Sequence, residues 1–244
     1  LNTGSAALVG VETGDTVTLG GTAAGSFADA NAGNGKAVTV TGFTKSGADH
    51  SNYSLSQPSS VTANITQAAL TITAGSKTMT YGDGNSFNSF TTSGLQNSET
   101  IGSVTLATDA TSSSSSNWNA GSWTITASAA TGGTFTASNY DISYATGSLT
   151  VNQKALTISG VTANNRAYNG LTTATLNTGS AALSGVESGD TVTLGGTASG
   201  SFADANVGNA KAVTVTGFTK SGADHSNYSL SQPSSVTANI TQAA

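Results

Sequence analysis

Residues 36–43, KAVTVTGF, alternate side chains of opposite character at almost every step, and the same eight residues return at 211–218. In an extended chain Val38 and Val40 fall on one face and Thr39 and Thr41 on the other. That period of two marks a half-buried strand, and β-branched threonine suits the solvated face. Outward from this stretch the alternation recurs in DTVTLGGT (15–22), VTANIT (61–66), LTITA (70–74), SWTITASA (122–129), YDISY (140–144) and SLTV (148–151). Gly, Asn, Asp and Ser punctuate the chain every six to twelve residues, which supplies turns. No window keeps an apolar face at helical spacing with good helix formers. The expectation is an all-β protein whose helices are single turns, with TSSSSS (111–116) as a solvated loop.

The composition fits a thin core. Charged residues are 8% of the 244, against about 25% in ordinary soluble domains. Leu, Ile, Val and Phe together number 43, near the level at which chains stay disordered. Disorder of that kind comes with high net charge, and here the formal charge is only −5. Seven scattered Lys and Arg residues make no basic patch for nucleic acid. The chain has no cysteine, so no disulfide reinforces it, and no apolar run approaches the ~18 residues of a membrane span.

Self-similarity sets the organisation. Residues 1–69 align without a gap with 176–244, identical at 64 of 69 positions; the differences are Val9/Ser184, Thr13/Ser188, Ala24/Ser199, Ala32/Val207 and Gly35/Ala210. The first copy lacks a counterpart of ALTISGVTANNRAYNGLTTAT (155–175) and so starts inside a module. Three modules are expected: a truncated one at 1–67, a different one at 68–152 and a complete one at 153–244. NITQ-AALTITA (64–74) and LTVNQ-KALTISG (149–160) run straight from closing strand to opening strand. Without a flexible linker these junctions are expected to be stiff. Each module, at six to eight short strands, suits a small β-sandwich, with a β-grasp-like sheet as the alternative. The expected aromatic core is Tyr81, Phe87, Phe90, Trp118, Trp123, Phe135, Tyr140 and Tyr144 in the middle module, and Phe202, Phe218 and Tyr228 in the last.

Three stretches, AYNGLTTATL (167–176), SGVESGDTVTLGGTASGSFADANVGNAKAVTVTGF (184–218) and NYSLSQPSSVTANITQ (227–242), resemble the YDG repeat of bacterial adhesins, with Tyr168-Asn169-Gly170 in place of the name motif. Both Asn and Asp tolerate turn conformations, so the exchange leaves the fold assignment intact. LTITA (70–74), TYGDGNSF (80–87), SGL (93–95) and SLTV (148–151) resemble the mostly-β glycine-rich (MBG) module of the same proteins, without the proline common in its TYGD turn. The resemblance implies tandem modules set end to end as an elongated rod, in a filamentous-haemagglutinin-like protein at the bacterial cell surface. It implies a stalk that projects a distal binding domain. The alternative is that the modules themselves bind matrix polysaccharide or mediate cell–cell and biofilm adhesion.

The chemical candidates give no site. His50 and His225 are one position in two copies, each beside an aspartate (Asp49, Asp224) in SGADHSNYS; sequence neighbours rarely form a triad, so a solvated turn is expected. GxSxG, P-loop and HExxH patterns are absent. Oxygen-rich loops at Asp29, Asn31 and Asn34, at Asp204, Asn206 and Asn209, and at Asp83 and Asn85 suit turns better than calcium, because each holds a single carboxylate. Calcium at loops or junctions is the only cofactor considered. Lys36, Lys77 and Lys211 are expected as exposed edge lysines rather than isopeptide donors. Asn52, Asn64, Asn227 and Asn239 lie in Asn-x-Ser/Thr sequons. The expectation is no enzyme, with no catalytic, cofactor-binding or metal residues. The expected partners are the neighbouring modules of the same chain, with matrix glycans or other cell surfaces next, and neither nucleic acid nor membrane.

Overall fold

The computed structural model describes residues 1–87 and 89–243. It is all-β, as the alternation predicts; among the described residues its helices are three single 3-10 turns, His50–Asn52, Ala137–Asn139 and His225–Asn227. No helix among the described residues is long and apolar enough to cross a membrane.

The complete last module shows the plan most fully. Its long hairpin, Thr193–Phe202 against Gly208–Ser221, forms the middle of a five-stranded sheet closed by Thr237–Thr241. Arg166–Ala167 joins that closing strand in parallel. A second sheet sets the opening strand Lys154–Ser159 between Ala182–Ser184, antiparallel, and Tyr228–Leu230, parallel. The alternation places Phe202, Val213, Val215, Val236, Ala238 and Ile240 in one cluster, with Val161, Leu176 and Phe218 against it. Burying each such side chain contributes about 1.5–3 kcal/mol. Residues 162–177 break into four two-residue strands, Thr162–Ala163, Arg166–Ala167, Thr173–Ala174 and Leu176–Asn177, which lift the strand count among the described residues to ten, above the expected six to eight.

The middle module, of different sequence, repeats the plan with seven strands among the described residues. Its long hairpin is Ile101–Thr108 with Gly121–Gly133, in the sheet that Gly147–Asn152 and Lys77–Thr80 complete. There too the closing strand runs antiparallel to the hairpin and parallel to an early strand. Phe90–Ser93, Ala68–Ala74 and Tyr140–Ala145 make the second sheet. The first copy keeps the hairpin Thr18–Phe27 with Gly33–Ser46 and the closing strand Thr62–Ile65. In both copies a glycine pair lets the hairpin strands approach and shift register: a Cβ on Gly21, at φ +88°, would lie 2.1 Å from the Gly42 carbonyl, and Gly196 and Gly217 repeat this at 2.2 Å.

The chain divides into two compact units. One takes Leu1–Ile72, Thr92–Ser103 and Ala130–Ser143; the other takes Thr73–Thr91, Val104–Ala129 and Tyr144–Ala244. Residues of the middle module fall in both, so each unit holds one junction between modules.

Candidate functional site

Each of the three 3-10 turns ends in Ser-Asn and is followed by tyrosine: Ser51-Asn52-Tyr53, Ser138-Asn139-Tyr140 and Ser226-Asn227-Tyr228. A phenol both donates and accepts, and each tyrosine uses both capacities to staple its turn to an acidic loop. Tyr228 donates to Asp190 at 2.5 Å and accepts the Glu187 N–H at 2.9 Å. Tyr140 donates to Glu99 at 2.5 Å and accepts the Gln96 N–H at 2.9 Å. Tyr53 donates to Asp15 at 2.7 Å and accepts the Glu12 N–H at 3.0 Å.

In the first compact unit the asparagine of the middle module's turn reaches the first copy. Asn139 accepts the Ala32 N–H through Oδ1 at 2.9 Å and donates through Nδ2 to Asn31 Oδ1 at 3.0 Å. Gln67, the last residue before the middle module, donates to the carbonyls of Ser138 and Tyr140 at 3.0 and 3.1 Å.

The second compact unit repeats this interlock with other residues. Asn227 accepts the Ala120 N–H at 2.8 Å and donates to Asn119 Oδ1 at 2.9 Å, and Gln153 donates to the Ser226 carbonyl at 2.7 Å. The outgoing half of a joint is thus an Asn-Ala-Gly loop (31–33, 119–121) with a glutamine at the boundary between the modules (67, 153). The incoming half is the Ser-Asn-Tyr turn.

The second joint carries a further polar layer. Asp190 accepts from Tyr81 and Tyr228 through Oδ2, both at 2.5 Å, and from the Ser115 N–H through Oδ1 at 3.0 Å. The Tyr81 proton goes to this carboxylate, so the Ser113 hydroxyl donates to the Tyr81 oxygen. Asp224, 5% exposed, accepts the Thr191 N–H at 2.9 Å and the Ser114 N–H at 3.1 Å. Lys154 pairs with Glu187, and the Tyr81 and Tyr228 rings meet edge to face at 5.2 Å. Burial opposes the charged form of Asp190, but the Tyr228, Tyr81 and Ser115 donors outweigh it and hold the carboxyl below its ordinary value. The Thr191 amide, then Ser114, does the same for Asp224 against its burial. Burial and the neighbouring Asp190 push both the Tyr228 and Tyr81 phenols up.

The family comparison fits the two copies that the geometry pairs. The family model of the YDG domain matches residues 1–63 and 152–237. The chain belongs to the YDG domain family. Between its YDG segments, residues 70–150 match the MBG domain of the YGX type. These two domains fit an adhesin-like surface protein in general. No curated protein and no solved structure matches the chain.

Several residues singled out in the sequence take other roles in the YDG and MBG modules. TSSSSS is solvated at Thr111, Ser112, Ser114 and Ser116, but Ser113 and Ser115 are half-buried, and the run serves Asp190, Asp224 and Tyr81. Asp224 is likewise buried in a joint rather than in a solvated turn, and its oxygens serve backbone amides. The His225 and His50 rings are exposed and lie 2.7 Å through Nδ1 from the carbonyls of Gly222 and Gly47. Lys36 and Lys211 are not exposed edge residues; their side chains are 18% and 15% accessible and pair with Asp29 and Asp204, holding both carboxyls below their ordinary value. Each ammonium also binds the backbone carbonyl of Asn31 or Asn206, so the single carboxylate of each of these loops, Asp29 or Asp204, already holds a cation. Lys77 binds the Ser86 carbonyl. Asp83 accepts the Thr80 N–H, and Asn85 bridges Ser116 and Trp118. Among the described residues no three His, Asp or Glu gather as metal ligands.

Of the sequon asparagines, Asn52 is exposed and Asn227 is buried in the joint, while Asn64 and Asn239 accept the amides of Gly35 and Ala210. Tyr81, Tyr140, Phe202 and Tyr228 are core residues as expected, but Tyr144 is 39% exposed and is not. Phe87, Phe90, Trp118, Trp123, Phe135 and Phe218 are half-buried, with Phe87 stacked on Trp118 at 5.1 Å. A groove of about 570 Å³ in the first copy is lined by Leu1, Val40, Phe43, Pro58 and Val61 with small polar residues, and holds no titratable side chain.

Proposed function

We propose that the chain is a spacer segment of a bacterial surface adhesin, outside the cell, that carries load and reach and performs no catalysis. The observation that supports this reading is the repeated joint. Two modules of unlike sequence are entered by the same asparagine and glutamine bonds, with no linker between closing and opening strands. Docking of this kind restrains neighbours at little cost in stability per joint, because the linkage already supplies a high effective concentration. Stability then adds up module by module, and length is free to vary.

The test is surface display. One, two and three tandem copies of the chain are placed between a cell-surface anchor and a terminal epitope, and epitope height is measured by super-resolution imaging. Height rising in proportion to copy number is expected; height independent of copy number refutes the spacer. A second reading, glycan binding by the modules, draws support from Tyr168 and Leu171, which stand 47% and 59% exposed at the Tyr-Asn-Gly turn. Binding of the isolated chain to a glycan array, lost in Tyr168→Ala, would favour it.

A further inference from the structure

The two YDG copies present one face in two states. In the second copy Asp190, Asp224, Asn227 and Tyr228 meet Tyr81, Ser114, Ser115, Asn119 and Ala120 of the MBG module. The first copy carries the same residue types at every corresponding position: Glu12, Asp15, Asp49, Asn52 and Tyr53 stand for Glu187, Asp190, Asp224, Asn227 and Tyr228. Its local geometry is also the same. Tyr53 staples Asp15, and Asp49 accepts the Thr16 N–H at 2.8 Å, as Asp224 accepts that of Thr191. What differs is cover: Asn227 is 1% and Tyr228 0% exposed, whereas Asn52 and Asp15 are exposed and Tyr53 and Asp49 half-buried.

We propose that this face of the first copy, Asp15, Asp49, Asn52 and Tyr53, is a docking site for the outgoing face of another MBG module, one bearing the serine loop, the Tyr81 phenol and an Asn-Ala-Gly loop. The partner's chemistry follows from the covered copy. It must offer two backbone N–H groups and a phenol to the paired carboxylates, and an N–H and an amide oxygen to Asn52. The MBG module in this chain offers that set. A YDG outgoing face carries a phenol at the matching place, Tyr168, whose N–H bonds Thr241 as that of Tyr81 bonds Asn152, but its loop at 203–207 has no counterpart of the serine run at 111–116. This deepens the spacer reading by naming the neighbour on the uncovered side. The two fail separately, since display height does not report on the reactivity of residues 15 and 49.

Carbodiimide labelling of carboxylates, read by mass spectrometry after trypsin, tests it. Cleavage at Lys36, Lys45, Lys77, Arg166, Lys211 and Lys220 puts Asp15 and Asp49 on different peptides from Asp190 and Asp224. In the chain as it stands, Asp15 and Asp49 are expected to label at least tenfold faster than Asp190 and Asp224. With residues 68–175 duplicated ahead of Leu1, their rates fall to those of Asp190 and Asp224. With only 153–175 added, they stay fast. A doubled near-UV tryptophan signal reports that the added MBG module has folded, because Trp118 and Trp123 both lie in that module. Asp15 and Asp49 staying fast beside a folded MBG module overturns the proposal. A second variant needs no new module: Ser184→Val, Ser188→Thr, Ser199→Ala, Val207→Ala and Ala210→Gly give the second copy the first copy's sequence. Asp190 and Asp224 are expected to remain slow in it, and their acceleration also overturns the proposal.

Discussion

Replacing Asn227 by alanine removes an acceptor and a donor from the second joint where water is excluded, since Asn227 is 1% exposed. The Ala120 N–H, bonded at 2.8 Å, and the Asn119 amide oxygen, at 2.9 Å, lose their partners together. Leaving a buried polar group unpaired costs about 1–3 kcal/mol. Asn119 and Ala120 are themselves half-buried, so water recovers part of this, and the pair is worth about 2 kcal/mol. That is roughly a 30-fold shift in the docking equilibrium. The molecule supplies its own control. Asn52 sits in the identical sequence SGADHSNYS, is exposed, and makes no side-chain hydrogen bond among the described residues; Asn52→Ala is expected within about 0.5 kcal/mol of wild type. Native-state hydrogen exchange at the Ala120 amide, followed by NMR, reads the difference. Protection falls roughly 30-fold in Asn227→Ala and is unchanged in Asn52→Ala. Equal effects of the two substitutions refute the interlock.

Three further outcomes are expected. Gln67→Ala removes two donated bonds and Gln153→Ala one, so at about 1 kcal/mol per bond the first lowers protection at the Ala32 amide more than the second does at Ala120; the reverse order contradicts the assignment. Ala210 holds φ +46° where the first copy has Gly35 at +61°, so Ala210→Gly raises stability by about 1 kcal/mol in urea denaturation, and a loss would mean the turn carries no strain. Asp190 and Asp224 are held below the ordinary carboxyl value, so their stabilisation is present above about pH 4 and lost as pH falls through their lower folded values. Tyr81 and Tyr228 are held above theirs, so their contribution is complete below about pH 10 and lost only as pH rises through the higher folded values. Thermal unfolding should therefore weaken at both extremes, with Asp190→Asn blunting the acid side; an acid limb identical in wild type and variant would exclude Asp190.

The strands and modules were legible in the sequence because burial writes a period of two. Val38 and Val40 fell on the core face as the alternation requires, and the offset of 175 exposed the two YDG copies. The joints left a fainter mark. Ser-Asn-Tyr recurs at 51, 138 and 226, Asn-Ala-Gly or Asn-Val-Gly at 31, 119 and 206, and glutamine at 67, 153 and 242. All recur at close to half of 175, so YDG and MBG modules share a period that their other residues hide. Hydrophobic patterning is blind to such a joint, because asparagine, serine and aspartate at an interface have the composition of a solvated loop. TSSSSS shows this directly: its Ser114 and Ser115 amides meet the buried Asp224 and half-buried Asp190 carboxylates, and no property of serine announces that. The shared plan of long hairpin, 3-10 turn and closing strand explains why both module types accept the same lock.

Small-angle X-ray scattering of the whole chain, wild type against Asn139→Ala/Asn227→Ala, with and without calcium, tests the spacer account most directly. The expected result is an extended, stiff profile for wild type that calcium leaves unchanged and that gives way to a flexible chain of modules in the double variant. A compact wild-type profile, or one that the two substitutions do not alter, would contradict it.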